Sequence, residues 1–490
     1  MTVTPEDWAS DSLELSQQST WDLVVVGGGT AGIVAAKTAA SLGADVLLIE
    51  RERPGGDCLW TGCVPSKALL SAAHAAAGSR RMGEFGLRST GIEVDFAGVM
   101  AHVHAAIATI EPVDSPATLR TSGVCVVHGD ATFTGMSTLS VDGRNIDFRH
   151  ALIATGSSPS IPSVPGLVES SPLTSDSIWF LEDLPAHLLV MGGGSIGCEL
   201  GQAFARLGSQ VSLVESGPRI LLREDSDAAE AVATSLVADG VSIRVGAAIV
   251  SVSDRGPVVA TLGDGSSIKA DRILVAVGRR PSLDGLGLES AGVDINEWGF
   301  VSVDARLRTT NRRIWAAGDI TGHPQFTHVA GTHGSLAASN AVLGLRRKVD
   351  IATVPRVTYT DPEVAAFGVD LERADRAGLR TRTVDHVEVD RAVTEGRVCG
   401  YSRLVFDKRG RIVGASLVGP RAGESLAEAV LAARHGLRAR DIAASMHPYP
   451  TYGDGVWKAG LAQVQDDLSG RLVQRVVRLL ILLRRFRSGR

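Results

Sequence analysis

Aromatic residues make up only 4% of this 490-residue chain, cysteines number five, and neither sign of charge dominates. With 49 basic against 54 acidic residues the net charge is −5, so the basic footprint of a nucleic-acid-binding protein is missing. Five cysteines in so long a chain do not make a secreted disulfide scaffold. The opening stretch MTVTPEDWASDSLELSQQ lacks the basic start and apolar run of a secretion signal, and a cytoplasmic location is expected. No window offers 18 or more apolar residues free of charge. The late run Leu479–Leu483 is closed off by Arg478 and Arg484, so no membrane-spanning helix is expected. What the chain does have is glycine, 55 residues, with 44% hydrophobic and 21% charged residues. That is the balance of a folded α/β protein with many tight strand-to-helix turns, and at roughly 150 residues per domain there is room for about three domains.

The segment DLVVVGGGTAGIVAAKTAASLGADVLLIE, Asp22 to Glu50, reads as an apolar strand, a glycine turn, a helix of small residues and a second strand ending in an acid. Gly27, Gly29 and Gly32 have the G-x-G-x-x-G spacing: the first allows the tight turn, the second lets backbone approach a pyrophosphate, the third packs helix on strand. The helix start offers N–H donors to phosphate, and Glu50 offers a carboxylate to ribose hydroxyls. The same pattern returns in HLLVMGGGSIGCELGQAFARLGSQVSLVE, with Gly192, Gly194, Gly197 and Glu215. Such self-similarity is the mark of two dinucleotide-binding units in one chain. HALIATGSSPSIP (Thr155, Gly156), DRILVAVGRRPS (Gly278) and RIWAAGDITG (Asp319) each put a strand before a glycine turn. The third would return the chain to the first domain, making the second nucleotide domain an insertion. From about Val354 the texture is that of a separate α+β domain.

Directly after the first unit comes GGDCLWTGCVPSKAL, Gly55 to Leu69. If the segment is helical, Cys58 and Cys63 fall about one turn apart, close enough to bond. Metal binding competes, but it calls for further ligands and the two-residue spacings of zinc motifs, and no metal is expected. A purely structural disulfide is the other alternative. It would tend to be reduced in the cytosol, and its place beside a nucleotide unit favours exchange chemistry.

With the redox motif, both nucleotide units, AAGD and the last domain in this order, the chain over roughly residues 20 to 465 resembles the flavoprotein pyridine nucleotide-disulfide oxidoreductases. That family includes dihydrolipoyl dehydrogenase, glutathione reductase and mercuric reductase. The resemblance implies FAD in the first unit, NAD(P)H in the second, and a homodimer. The implied domains are a leader 1–19, a discontinuous FAD-binding domain 20–160 and 286–350, an NAD(P)-binding domain 161–285, a dimerisation domain 351–467 and a tail 468–490. It further implies that hydride passes from nicotinamide to flavin and two electrons then reduce a Cys58–Cys63 disulfide. Cys63 becomes the thiol nearer the flavin and Cys58 the interchange thiol. Lys67 matches the family lysine near the flavin ring, and its implied partner is Glu199 in a buried ion pair bridging the two nucleotide domains. Thr155, Gly156 and Asp319 match FAD contacts, and Ala330 lies in the helix that comes next. Glu215 suits a free ribose 2′-hydroxyl, favouring NADH over NADPH, although Arg219 and Arg223 just downstream offer charge for a 2′-phosphate.

The chain departs from the family at MHPYPTYGDGVWKAG, where relatives carry His-Pro-Thr-x-x-Glu. Keeping Pro-Thr in register puts Tyr449 at the base position and Asp454 at the Glu; the other register makes His447 the family histidine. The first is preferred. A neutral tyrosine is a poor base near pH 7, which demotes ordinary disulfide reduction and resembles the mercuric reductase branch. The carboxy-terminal cysteine pair of that branch is absent, and Cys125, Cys198 and Cys399 read as small buried residues. The expected activity is an NAD(P)H oxidoreductase passing electrons through FAD and Cys58–Cys63 to a small-molecule or metal-ion acceptor. The alternatives are a dihydrolipoyl dehydrogenase-like reductase or a flavin redox sensor without turnover. Finally, RLVQRVVRLLILLRRFRSGR, residues 471–490, reads as a basic amphipathic helix that lies on an anionic membrane, packs on its own protein or stays a solvated tail.

Overall fold

The computed structural model describes residues 20–88, 91–253 and 257–488, and the leader 1–19 lies outside the described residues. The chain divides into two compact units. One runs to Pro218 and resumes over Gly240–Ile351; the other joins Arg219–Asp239 to everything from Ala352. The principal helices in chain order are α1 (Thr30–Ser41), α2 (Gly56–Trp60), α3 (Cys63–Arg80), α4 (Phe96–Ile110), α5 (Ser195–Leu207), α6 (Ser226–Ala238), α7 (Thr327–Leu343), α8 (Ala422–Arg434), α9 (Asp454–Ser469) and α10 (Arg471–Ser488).

In the first unit β1 (Trp21–Val26), β2 (Val46–Glu50) and β3 (Val124–His128) are parallel neighbours. β1 reads WDLVVV and is buried except at Asp22, the near-continuous apolar run of a strand covered on both faces. β4 (Ala131–Gly135) and β5 (Thr138–Val141) form an antiparallel ribbon leading into β6 (Arg144–Ile153), which lies parallel to β1. After the short β7 (Ser157–Pro159) comes a second parallel sheet of β8 (His187–Met191), β9 (Gln210–Val214) and β10 (Val241–Arg244). An antiparallel trio is next, β11 (Ile249–Ser253), β12 (Val258–Leu262) and β13 (Ser267–Ala270), before β14 (Arg272–Val275) pairs with β8. β15 (Arg279–Pro281) pairs with β7, and β16 (Ile314–Ala316) returns to β6. The chain thus leaves the first sheet, builds the second and comes back.

Alternation along β1 sends Val24 and Val26 to one core with Phe133 and Phe148, and Leu23 and Val25 to another beneath α1 and α7. Each fully buried aliphatic stabilises by about 1.5–3 kcal/mol. α1 and α7 meet through small residues, so closely that a Cβ on Gly334 would strike the Ala31 carbonyl. Phe96–Thr121 is long and apolar enough to cross a membrane by length and composition, with mean hydropathy 1.3. It is a broken helix, interrupted at Glu111–Val113 and restarted at Pro116, and α4 buries Phe96, Met100, Val103 and Ile107 at core-facing spacing.

The second unit is a five-stranded antiparallel sheet of β17 (Arg356–Thr358), β18 (Glu363–Gly368), β19 (Arg380–Asp385), β20 (Tyr401–Phe406) and β21 (Ile412–Gly419), in the order β17-β18-β21-β20-β19. α8 buries Leu426, Ala429 and Ala432 in its core. Charged side chains tie residues 219–239 to this unit. Arg403 meets Asp225 at 3.1 Å and Asp227 at 2.5 Å, the Tyr401 hydroxyl donates to Asp227 at 2.8 Å, and Arg356 meets Glu224 at 2.8 Å. α10 forms as a helix, and Val476, Leu479, Leu480, Leu483 and Phe486 on it are exposed.

Candidate active site

The two glycine turns are built alike. Gly27 and Gly192 have φ of 104° and 111°, and a Cβ on either would come within 2.5 Å of a carbonyl oxygen, that of Ala154 or Ala276. Only glycine takes that conformation freely. A Cβ on Gly32 or Gly197 would strike the carbonyl of Gly27 or Gly192. The middle glycines differ: around Gly29 nothing but Gly56 Cα lies within 4 Å of an added Cβ, at 3.8 Å, and around Gly194 nothing does. These open positions cap α1 and α5, whose first turns contain no acid and have no side-chain cap. The first-turn N–H groups are therefore available to an anion, and both turns fit a dinucleotide diphosphate.

The two acids are also placed alike. Glu50 accepts hydrogen bonds from the backbone N–H of Gly28 at 2.6 Å and of Glu52 at 2.8 Å. Glu215 accepts from Gly193 at 2.7 Å and Gly217 at 2.6 Å. Each carboxylate is fixed to its glycine turn and keeps lone pairs for ribose hydroxyls. Burial pushes Glu50 up from the ordinary carboxylate range, against the pull of its two backbone donors.

The dithiol segment is not one helix. α2 ends at Trp60, and α3 begins at Cys63 after Gly62. A Cβ on Gly62 would lie 2.8 Å from the Asp57 carbonyl, which holds the break tight. Cys58 and Cys63 are free thiols, and they hydrogen-bond to each other. Cys63 is lowered to about 6, chiefly by the hydrogen bond from Cys58, then by Thr327, whose Oγ1 lies 3.2 Å from Cys63 Sγ, and by the Lys67 charge. Its place as the first residue of α3 adds the favourable end of the helix dipole. Cys58 is pushed up by the same mutual bond and by burial. One sulfur is thus held as thiolate and the other as thiol.

Lys67 Nζ lies 2.9 Å from Glu199 Oε2, joining α3 to α5. Glu199 is buried, with 8% of its side chain exposed, but Lys67 is 38% exposed. The pair is half-buried rather than fully buried, because the lysine reaches in from the α3 surface.

At the two crossovers Thr155 Oγ1 donates to the Ser282 carbonyl at 2.8 Å, and Gly156 and Gly278 take φ of 69° and 135° in open surroundings. Asp319 accepts from the Ser157 hydroxyl at 2.6 Å, and Ala330 is buried in α7. Here the structure supplies residues that were not foreseen. Arg279, with 16% of its side chain exposed, donates to Ser157 Oγ at 2.7 Å and also binds Asp57, the neighbour of Cys58. Loss of water contact pushes the Asp57 carboxyl up to about 6 against the opposing pull of Arg279. Half of the Asp57 side chain remains exposed, so solvent screens this shift. The signal for Arg279 was the pair of arginines in GRRP, and for Thr327 a threonine eight residues past AAGD; neither spacing ties them to the thiols.

In the second unit Asp454 does not serve Tyr449. The Tyr449 hydroxyl donates to Asp390, which raises the tyrosine above its ordinary value, and 69% of the residue is exposed. Asp454 is buried at the start of α9, with Oδ2 lacking a protein donor. His447 has both ring nitrogens engaged, Nε2 with Glu428 at 2.8 Å and Nδ1 with the Ser445 carbonyl at 3.0 Å. Among the described residues no three His, Cys, Asp or Glu side chains are grouped to hold a metal ion. Of the cysteines read as buried, Cys125 and Cys198 are, whereas Cys399 is exposed, because it lies in the loop before β20.

Residues 21–334 match the model of the pyridine nucleotide-disulphide oxidoreductases, and residues 354–459 match that family's dimerisation domain. The chain belongs to the pyridine nucleotide-disulphide oxidoreductases. It is 36% identical over 466 residues to a mercuric reductase of Streptomyces lividans, covering 92% of this chain and 98% of the relative. It is also 36% identical over 467 residues to a dihydrolipoyl dehydrogenase of Thermus scotoductus, covering 90% and 97%. Among solved structures, LpdA from Mycobacterium tuberculosis superposes with a TM-score of 0.83 at 27% identity, covering 90% of this chain and 99% of that one. The Cu(II) complex of the HOCl-induced flavoprotein disulfide reductase RclA from Escherichia coli gives 0.81 at 26%, covering 91% and 100%. The enzyme is therefore an FAD-dependent NAD(P)H oxidoreductase, and its dimerisation domain supports a homodimer.

Proposed function

We propose that this oxidoreductase takes two electrons from NADH and delivers them through Cys58 and Cys63 to a soft metal ion, in the manner of its mercuric reductase relatives. The observation that carries the reading is the asymmetric dithiol, taken with a tyrosine where the family motif has its histidine. Tyr449 stands where relatives have histidine and is itself raised by Asp390, and His447 is fully engaged by Glu428 and Ser445. An exchange reaction on a disulfide needs a proton donor and acceptor at the interchange thiol. Reduction of a thiophilic ion such as Hg(II) needs instead two sulfurs to bind it. Hg(II) gains two electrons and leaves as Hg(0), the two sulfurs form the Cys58–Cys63 disulfide, and any thiol protons go to water.

On this reading FAD is assigned to 20–160 and 286–350, NAD(P) to 161–285 and dimerisation to 351–467. Bound FAD supplies the relay of two electrons between nicotinamide and sulfur. The chain's part is to hold each diphosphate on the α1 and α5 amides, with Gly29 and Gly194 leaving room and Glu50 and Glu215 meeting the riboses. Thr155, Gly156, Gly278, Asp319 and Ala330 are assigned to the flavin side of the crossovers. Lys67, held in place by Glu199, brings a positive charge to Cys63 that the carboxylate partly offsets. NADH is preferred over NADPH because Glu215 is anionic, and because Arg219 spends its guanidinium on the carbonyls of Leu221 and Glu224, each at 2.7 Å. No relative supports membrane contact through 471–490, and α10 is given no part in the reaction.

The test is anaerobic titration with NADH and then steady-state assays with Hg(II), Cu(II), lipoamide and glutathione disulfide. Hg(II) is expected to exceed lipoamide at least tenfold in kcat/KM. A ratio reversed in favour of lipoamide would establish the second reading, a dihydrolipoyl dehydrogenase-like reductase, which the equal identity to the Thermus scotoductus relative favours.

A further inference from the structure

A cavity of about 480 Å³ opens in the first unit, at the end of α7 remote from Cys63. It is lined by Arg306, Arg308, Arg312 and Arg346, with Trp315 and His150. Thr327, which touches Cys63, begins α7, and Gly344 of the cavity comes directly after its last residue. Seventeen residues at 1.5 Å each put about 25 Å between them. The cavity also stands off from the glycine turn. His150 lies three residues before Ile153, the partner of Val26 at the turn, which is about 10 Å of strand.

Four guanidinium groups around one cavity are an unfavourable arrangement in a protein whose net charge is −5. Asp304 relieves one of them, lying 3.5 Å from Arg308. The C-terminal end of α7 adds about half a negative charge, far less than the remaining cations. Trp315 is 5% exposed, and its Nε1–H has no acceptor within the protein; His150 Nδ1 is also buried without a partner. A buried donor left unpaired costs about 1–3 kcal/mol, so an acceptor in the cavity would repay it. The volume is that of a small-molecule site.

From this juxtaposition we propose that the Arg306–Arg308–Arg312–Arg346 cavity is a second binding site, for a small soluble polyphosphate-bearing ligand, with Trp315 Nε1 donating to one of its oxygens. Guanidinium forks suit phosphate oxygens better than a point charge does. The site lies apart from the first dinucleotide turn and from the dithiol, and it does not depend on which acceptor the enzyme reduces.

Isothermal titration of the FAD-loaded enzyme with inorganic tripolyphosphate, at constant ionic strength and with saturating NAD⁺, tests it. Saturable one-to-one binding is expected. Arg312→Gln with Arg346→Gln, both exposed positions, should weaken it about 10- to 100-fold, and Trp315→Phe should weaken it severalfold while keeping the ring. FAD content and thermal midpoint of the variants, expected unchanged for the arginine pair, report folding. Absence of saturable heat, equal affinity in the arginine double variant, or capture by phosphatidylglycerol vesicles without tripolyphosphate binding would each overturn the proposal.

Discussion

Replacing Thr327 by valine removes one hydroxyl from Cys63 and keeps the shape of the side chain. The Oγ1–Sγ distance of 3.2 Å describes a hydrogen bond to a sulfur held as thiolate near pH 6. A bond to a charged acceptor contributes about 1.5–3 kcal/mol when dry. Cys63 is exposed in the isolated chain, so about 1 kcal/mol is the fitting figure. At 1.36 kcal/mol per tenfold change, that raises the midpoint by about 0.7 pH, from about 6 to nearly 7. The direction is set by the charge. The wild-type thiolate persists above about pH 6 and is lost as pH falls through that value, and the variant loses it earlier on the same descent. Cys58→Ala removes the largest stabilising bond and should raise the midpoint further than Thr327→Val does. The assay is the rate of iodoacetamide capture by the NADH-reduced enzyme against pH. A Thr327→Val profile superimposable on wild type, or a larger shift from Thr327→Val than from Cys58→Ala, would refute the account of how this thiolate is held.

Other substitutions separate fold from chemistry. Gly194→Ala meets nothing within 4 Å, so its thermal midpoint should match wild type while the Kd for NAD⁺ rises at least tenfold, because the new methyl fills diphosphate space; unchanged affinity would mean the diphosphate lies elsewhere. Gly197→Ala drives a Cβ into the Gly192 carbonyl and should cost about 1–3 kcal/mol of stability in denaturant unfolding. Lys67→Met leaves the buried Glu199 carboxylate without its lysine, whereas Glu199→Gln leaves a lysine that water reaches. The first should therefore destabilise by about 3 kcal/mol and the second by about 1 kcal/mol, and equal costs in thermal unfolding would contradict the burial argument. His447→Gln should lower stability with little effect on kcat for Hg(II), since both histidine nitrogens face the protein; a large loss of kcat with intact folding would return His447 to the thiols.

The amino-acid sequence makes legible whatever a residue does to its near neighbours in the chain. Gly32 is legible because its missing Cβ clears the carbonyl of Gly27, five residues back, and Gly27 because the tight turn itself takes a positive φ; that Ala154 also crowds Gly27 is not legible. Glu50 and Glu215 are legible for a similar reason, each closing a βαβ unit of fixed length. Arg279 is not, since its partner Asp57 lies 222 positions away and its other partner Ser157 is reached through the pairing of β7 with β15. Asp390 as the partner of Tyr449 is hidden likewise, 59 positions back, while Asp454 stands at the spacing that the motif makes plausible. The break between α2 and α3 escapes too, because Gly62 reads equally well as a residue of a continuous helix.

The duplicated βαβ unit explains how one scaffold carries two tasks. Both copies hold their glycines and acid in the same geometry, down to the carboxylate that accepts from its own turn at 2.6 and 2.7 Å. The two copies diverge in the chain beyond the acid. After Glu50 comes Gly55, with φ of 109°, which turns the chain into α2 and brings two sulfurs beside the α3 N-terminus. After Glu215 comes the 219–239 segment, whose carboxylates go to Arg403 and Arg356 and which carries no nucleophile to the turn. Nucleotide geometry is thus a property of the repeated unit, and reactivity a property of its sequel. Transplanting residues 55–67 after Glu215 would by this logic supply the thiols but not the thiolate, because Thr327 on α7 and the Lys67–Glu199 pair belong to the first site alone.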